Sequence, residues 1–164
     1  MNTSKTIIII PTYNEKENVV KMTQAIMGLD LELSILFVDD NSPDGTSRLI
    51  ADLVKKFPDQ VFLETREEKQ GLGTAYIHGF KWALERDYDY VFEMDCDFSH
   101  APEDVIRLKS ACDQGADMAI GSRYCKGGKV KNWPFKRIMM SYLASIYVRM
   151  ILWIPIKDTT AGFK

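Results

Sequence analysis

Two carboxylates stand on alternate residues in the stretch Tyr90-Val-Phe-Glu-Met-Asp95-Cys-Asp97-Phe-Ser-His100. The stretch begins apolar enough for a buried strand. Alternate residues of a strand point to one face, so Asp95 and Asp97 share a side if the strand persists between them. Carboxylates that close repel each other unless a cation intervenes. A hard divalent ion, Mg²⁺ or Mn²⁺, is the usual solution, held by one or two carboxylates together with substrate phosphates. A bare Asp-x-Asp more often ends a strand and faces water, so companion residues must decide between the readings.

Those companions recur at regular intervals. Pro11-Thr-Tyr13-Asn-Glu15, Asp39-Asp40-Asn-Ser-Pro-Asp44-Gly45, Lys69-Gln-Gly71-Leu-Gly73 and Gly121-Ser-Arg123 each border a β-branched or apolar run. Tyr13 offers a flat face for a base, and Glu15, Asp39 and Asp40 are acceptors for base N–H or ribose hydroxyl groups. Asp44 suits a turn and helix cap equally well. A calcium loop opening at Asp40 fails at its closing position, where Ala51 replaces the bidentate glutamate. Gly71-Leu-Gly73 is not a dinucleotide fingerprint, because Tyr76 stands where a third glycine belongs. It predicts a tight turn, with a helix N-terminus facing an anion. In the basic segment Arg123, Lys126, Lys129, Lys131, Lys136 and Arg137, the two arginines match phosphate oxygens best, since their planar forks present paired donors. His78 reads as structural. His100 lacks the further nitrogen or sulfur ligands of a zinc site. No Ser-His-Asp or Cys-His arrangement points to an acyl intermediate.

The elements that position these clusters alternate. Predicted strands Ile7–Ile10, Ser34–Val38, Val61–Glu64, the run into Asp95, and Met118–Ile120 are separated by helical patterns. Asn14 with Glu17 predicts a capping box before Val19, Met22, Thr23 and Ile26. Leu49, Ile50, Leu53, Val54 and Phe57 mark a second helix, and Ala75, Phe80, Ala83 and Leu84 a third. Pro102 opens a fourth carrying Val105, Leu108 and Cys112. This is an α/β chain with a doubly wound, mostly parallel, Rossmann-like sheet. In such sheets ligands bind beyond the carboxyl ends of the strands, where strand order reverses. Five polar clusters on that one rim describe a pocket, which turns the acid pair from a strand end into a candidate site.

The 164 residues suffice for one domain, 46% hydrophobic and 27% charged. The compositional break after Gly121 gives an expected layout of an α/β ligand-binding core over 1–121, a basic loop over 122–137 and an apolar helix over 138–154. A net charge of −2 excludes a general electrostatic affinity for nucleic acid. Cys96, Cys112 and Cys125 read as free thiols of a reducing compartment. Ile7–Ile10 is too short for a signal-peptide core.

Seven motifs in register now carry a resemblance: Pro11–Glu15, Asp39–Thr46, Gly71–Ala75, Met94–His100, Gly121–Tyr124, Asn132–Pro134 and Asp158–Phe163. Together they resemble the inverting, GT-A-fold glycosyltransferases of the second sequence family, and within it the dolichol-phosphate (polyprenol-phosphate) mannosyltransferases. The resemblance spans nearly the whole chain. It implies transfer of mannose from GDP-mannose to a dolichyl or polyprenyl phosphate, assisted by Mg²⁺ or Mn²⁺. It further implies that Pro11, Tyr13 and Glu15 cup the nucleotide, with Val38 and Asp40 beside the base. Asp95, Cys96 and Asp97 would meet the metal and diphosphate, with Asp95 and Asp97 as metal ligands. Arg123 and Arg137 would serve the phosphates and, with Asp97, carry catalysis. Cys96 stands where the family often has alanine, and Ser99 where some members have glutamine. A phosphate acceptor is already anionic at neutral pH, so the lack of an obvious general base suits it. The rival readings are a UDP-hexose donor, a nucleotide-sugar-binding module without catalysis, and a phospho-receiver domain. The last would want its acids after the first strand.

The run Ile138–Ile156 is apolar on a surface too broad for a helix that packs on one side. Arg149 and Pro155 argue against a membrane span, and Tyr142, Tyr147 and Trp153 suit the headgroup level. The expectation is an interfacial helix on a protein peripheral to the cytoplasmic face of a membrane. The sequence stops at Lys164, at the Asp158–Phe163 motif, where members of the resembled family continue, so a C-terminally shortened chain that self-associates through 138–154 is also expected. The basic loop is expected to order over bound donor as a lid.

Overall fold

A computed structural model describes residues 4–123 and 134–164, apart from the side chains of Phe135 and Arg137. Its strands are β1 Thr6–Thr12, β2 Ser34–Asp39, β3 Val61–Thr65 and β4 Tyr90–Glu93, and its helices α1 Val19–Met27, α2 Thr46–Lys56, α3 Leu72–Leu84, α4 Asp104–Asp113 and α5 Phe135–Leu152. All pairings are parallel, in the order β3-β2-β1-β4. The doubly wound α/β reading therefore holds.

The β-branched run of β1 lies at the sheet centre, where both faces are covered. Ile7 through Ile10 are fully buried, and alternation divides them between two cores. Ile8 and Ile10 join Met22, Ile26, Phe37, Ile50 and Val105 beneath α1, α2 and α4. Ile7 and Ile9 join Leu36, Val38, Ala75 and Trp82 beneath α3. Gly79 lets α3 approach β1 closely, since a Cβ there would lie 2.6 Å from Ile9.

Four local expectations are corrected. Asn14 does not cap α1: it sits at φ 62° with its N–H on Ser42 Oγ, and α1 starts later, after Asn18. The Glu15 carbonyl receives the Asn18 and Val19 N–H groups instead. Leu84 is 72% exposed, at the last position of α3. β4 stops at Glu93, so Asp95 and Asp97 lie beyond the strand. Met118–Ile120 is not a strand. The free edge of β4 is occupied from elsewhere, because Glu93 and Lys164 exchange both backbone hydrogen bonds, at 2.7 and 3.3 Å. Gly121 meanwhile donates to the Phe163 carbonyl.

The α5 helix has eighteen residues and a mostly exposed apolar surface, with Ser145 buried. No helix among the described residues is long and apolar enough to cross a membrane. A cavity of about 670 Å³ lies at its C-terminal end, lined by Ile146, Arg149, Met150, Trp153, Ile154 and Pro155.

Candidate active site

The strand order reverses between β1 and β4, which places the crevice of a doubly wound sheet between their carboxyl ends. A cavity of about 330 Å³ opens there. Its wall includes Pro11, Tyr13, Glu15, Asp40, Asp95, Cys96 and Asp97, so the structure brings together seven of the residues singled out from sequence. Val38 is not on that wall: its side chain is fully buried under α3 and serves the core.

At the acid end, Asp95 is half-buried and Asp97 exposed. Burial raises the Asp95 pKa; a hydrogen bond from Tyr76 opposes the rise and the Asp97 charge adds to it. The Tyr76 hydroxyl donates to Asp95 Oδ1 at 3.1 Å. On the other side the Gly162 backbone comes so near that a Cβ there would lie 3.1 Å from Asp95 Oδ2. Asp97 Oδ1 accepts the Ser99 N–H at 2.9 Å, and the intervening Phe98 adopts φ 56°. A bulky residue in the left-handed region is strained, which is common beside functional groups. Cys96 is buried between the acids, with its thiol pushed up to about 12 chiefly by burial, so it stays protonated and unreactive. Burial lowers the His100 pKa against the pull of Asp95 and Asp97, and its ring stacks on Phe163 at 5.1 Å.

The donor set suits a hard cation shared with a ligand. Neither Asp95 nor Asp97 is ion-paired among the described residues. Nor do those residues contain a group of three or more His, Cys, Asp or Glu side chains that would enclose an ion alone. Two carboxylates on a cleft wall would suit a Mg²⁺ or Mn²⁺ ion that takes its remaining ligands from a bound phosphate.

At the other end the two aspartates expected to act together divide. Asp39 is fully buried. It accepts from Thr12 Oγ1 at 2.7 Å, from Ser42 N and Oγ at 2.9 and 2.7 Å, and from Ser47 Oγ. It therefore braces the β1 and β2 loops and is not available to a ligand. Asp40 lines the cavity with Arg66 behind it, the guanidinium Nε and Nη2 lying 2.6 and 2.5 Å from Asp40 Oδ1. Asp44 accepts from Thr46 N and Oγ1 at 3.0 and 2.6 Å, which bears out its turn role. Lys69 lies 4.0 Å from the centroid of the Tyr13 ring, covering one face of the platform. His78 and Trp82 share Glu64 at 3.2 and 3.0 Å, a structural arrangement on α3.

Sequence reasoning missed Arg66 and Tyr76. A cation placed directly after a strand on the ligand rim was the available signal for the first. For the second it was a tyrosine on the buried face of α3, whose hydroxyl needs a partner.

Arg123 is held by Asp158, through Nε at 2.9 Å, Nη2 at 2.6 Å and its backbone N–H at 3.0 Å. Nη2 also reaches Thr160 Oγ1 at 2.6 Å. Burial alone would raise the Asp158 pKa, but the Arg123 bonds outweigh it and hold the carboxyl below its ordinary range. Arg123 thus ties the chain after 121 to the last motif. Arg137 falls in the first turn of α5, and its side chain lies outside the described residues. Residues 124–133, which carry Lys126, Lys129, Lys131 and most of the expected lid, are also outside them.

The family model of "Glycosyl transferase family 2" matches residues 7–163. The chain is 48% identical over 162 residues to polyprenol monophosphomannose synthase of Mycolicibacterium smegmatis, covering 99% of this chain and 61% of that protein. It is 44% identical over 160 residues to undecaprenyl-phosphate mannosyltransferase of Micrococcus luteus, covering 98% and 65%. It is 44% identical over 167 residues to dolichol-phosphate mannosyltransferase of Pyrococcus furiosus, covering 97% and 45%. The chain thus spans under two thirds of these relatives' lengths. Among solved structures, mannosyltransferase PcManGT of Pyrobaculum calidifontis, in complex with GDP-Man and Mn²⁺, superposes with a TM-score of 0.51 at 25% identity, over 62% of this chain and 30% of that one. S. aureus TarS 1-349 superposes with a TM-score of 0.56 at 22% identity, over 67% and 32%, a likeness of fold.

Proposed function

Because the chain belongs to glycosyl transferase family 2, we propose that it transfers a mannosyl group with inversion from GDP-mannose to a polyprenyl or dolichyl phosphate. The observation that carries this reading is identity of 44–48% over nearly the whole chain to three relatives named for joining mannose to such lipid phosphates. The cleft supports it. Tyr13 supplies a stacking face and Asp40 an acceptor for the nucleoside. Asp95 and Asp97 would hold a Mg²⁺ or Mn²⁺ ion, which when bound would supply charge stabilisation for the departing nucleoside diphosphate.

The chain's own residues prepare that end. Tyr76 holds the Asp95 carboxylate by a hydrogen bond, and the backbone of Gly162 passes close to its other oxygen. Arg123 and Arg137 serve phosphates of donor and acceptor, and Arg123 does so while anchored on Asp158. A phosphate acceptor arrives ionised, so no residue need remove a proton from it. The exposed apolar surface of α5 supports contact with the membrane that holds such an acceptor, as a peripheral protein at its cytoplasmic face.

The test is sugar transfer from radiolabelled GDP-mannose to polyprenyl phosphate in detergent, with UDP-glucose as the competing donor. Metal-dependent transfer from GDP-mannose is expected. Transfer from UDP-glucose alone would move the assignment to another hexose, and donor binding without transfer or hydrolysis would make the chain a binding module.

A further inference from the structure

Four carboxylates line the cleft, those of Glu15, Asp40, Asp95 and Asp97, and among the described residues only Asp40 is paired with an arginine. Arg66 lies directly after β3, where its backbone N–H donates to the Asp39 carbonyl at 2.8 Å and extends the β2–β3 ladder. The sheet register therefore sets where its side chain starts. The guanidinium is buried, as is Asp40, with 8% of each side chain exposed. Both of its contacts to Asp40 fall on Oδ1. Nη1 donates to Thr74 Oγ1 at 2.7 Å and Nη2 to the Gly71 carbonyl at 3.3 Å. Thr74 Oγ1 in turn donates to that same carbonyl at 2.7 Å. One side chain thus joins Asp40 to the first turn of α3, the helix whose Leu72 and Ala75 form part of the cavity wall.

The other oxygen of Asp40, Oδ2, receives no hydrogen bond from the described residues. A buried carboxylate with one oxygen saturated by an arginine and the other unused is a fixed, nearly charge-neutral acceptor. It suits an N–H or O–H donor, and it holds little attraction for a divalent ion. Asp95 and Asp97 are the reverse: unpaired, and suited to the ion. Resting on the nucleotide-sugar reading, we propose that Arg66 is the positioning residue of the nucleoside end of the cleft. It orients Asp40 so that Oδ2 accepts from the base or ribose, and its charge keeps the metal at the Asp95–Asp97 end.

The experiment is calorimetric titration of wild type, Arg66→Lys and Arg66→Gln, with two probes in the presence of Mn²⁺. One probe is whichever of GDP and UDP the wild type prefers, and the other is inorganic pyrophosphate, which lacks a nucleoside. Lysine keeps the charge but loses the two-pronged hold on Oδ1. Nucleoside diphosphate affinity should fall at least about tenfold in both variants, more in Arg66→Gln, as expected for a lost hydrogen bond to a charged group. Pyrophosphate affinity should stay within about twofold of wild type in Arg66→Lys. In Arg66→Gln, Mn²⁺ alone should bind in the Asp40 region as well, detectable as an added site quenched by Asp40→Asn. If Arg66→Gln does not fold, Arg66→Lys, which keeps the buried charge, carries the affinity test alone.

Parallel losses for both probes in Arg66→Lys would make Arg66 a general structural brace. Unchanged nucleotide affinity in a folded variant would remove it from the site. Either result overturns the proposal. A wild-type protein that binds pyrophosphate–Mn²⁺ but neither GDP nor UDP would instead bring down the nucleotide reading itself, and the proposal with it.

Discussion

β1 and α5 are both apolar runs, yet Ile7–Ile10 are fully buried while Met140, Tyr147, Met150 and Trp153 are 62%, 62%, 64% and 92% exposed. The strand is clamped between two parallel neighbours and covered by helices on both faces. The helix touches the last motif through Ser141 Oγ, 2.9 Å from Thr160 Oγ1. The carboxylates of the cleft follow the ends of β1, β2 and β4, so their spacing inherits the rigidity of the sheet. Most of the α5 apolar side chains are exposed in the described fold. Division of this kind lets one part of a protein be precise and another adhesive.

Substitutions at the two places should therefore cost very different amounts. Phe37 on β2 is fully buried in the α1–α2 core, and Phe37→Ala should lower unfolding free energy by about 3–5 kcal/mol through lost transfer energy and the cavity left behind. Chemical denaturation gives the number. A cost under about 1 kcal/mol would mean that the sheet is no more rigid than the helix, and the comparison would fail.

The next largest effect falls on binding. Asp97 is exposed, so Asp97→Ala should leave the melting temperature nearly unchanged. It removes one of two metal-binding carboxylates, and GDP affinity in Mn²⁺ should drop by at least about a hundredfold, while affinity in chelator is unaffected. Calorimetry with and without Mn²⁺ separates the two. Equal affinity in both media for wild type would remove the acid pair from metal binding.

A smaller effect sharpens the same point. Tyr76→Phe deletes one hydroxyl, 3.1 Å from Asp95 Oδ1, and keeps the ring in its packed place. Loss of an outer-shell partner typically weakens metal affinity by about tenfold to a hundredfold. The low end is expected here, because Gly162 still confines the carboxylate. The readout is Mn²⁺ affinity by electron paramagnetic resonance in the presence of GDP. A variant indistinguishable from wild type would show that Asp95 is positioned by the backbone alone.

The rigid half was largely legible because its determinants are local. The unbroken isoleucines of β1 can be buried only at a sheet centre. The rim clusters follow from strands that end in turn residues, so Tyr13, Glu15, Asp40, Asp95 and Asp97 reached one cavity as expected. What stayed hidden depends on partners distant along the chain. Asp39 and Asp40 are adjacent and chemically alike, and only the fold gives one to Thr12 and Ser42 and the other to Arg66. Met118–Ile120 has the composition of a strand, but the edge it would have joined is taken by Lys164. The anchoring of Arg123 on Asp158, 35 residues away, likewise exists only in the fold.

The last prediction concerns Trp153, 92% exposed at the end of α5 in a left-handed conformation with φ 52°. Trp153→Ala removes a large side chain that packs against little, so stability should change by less than about 0.5 kcal/mol. An indole at a membrane interface has both an apolar body and a polar N–H to place, and losing it weakens partitioning even where the fold is indifferent. Cosedimentation with liposomes of anionic phospholipid should fall several-fold in Trp153→Ala and further with Met150→Ala added, at unchanged melting temperature. Wild-type protein that stays monomeric in dilute buffer and ignores those liposomes would mean that the exposed surface of α5 is not an adhesive one. If Trp153→Ala instead costs as much as a core substitution, the helix belongs with the sheet after all, and the contrast between the two regions disappears.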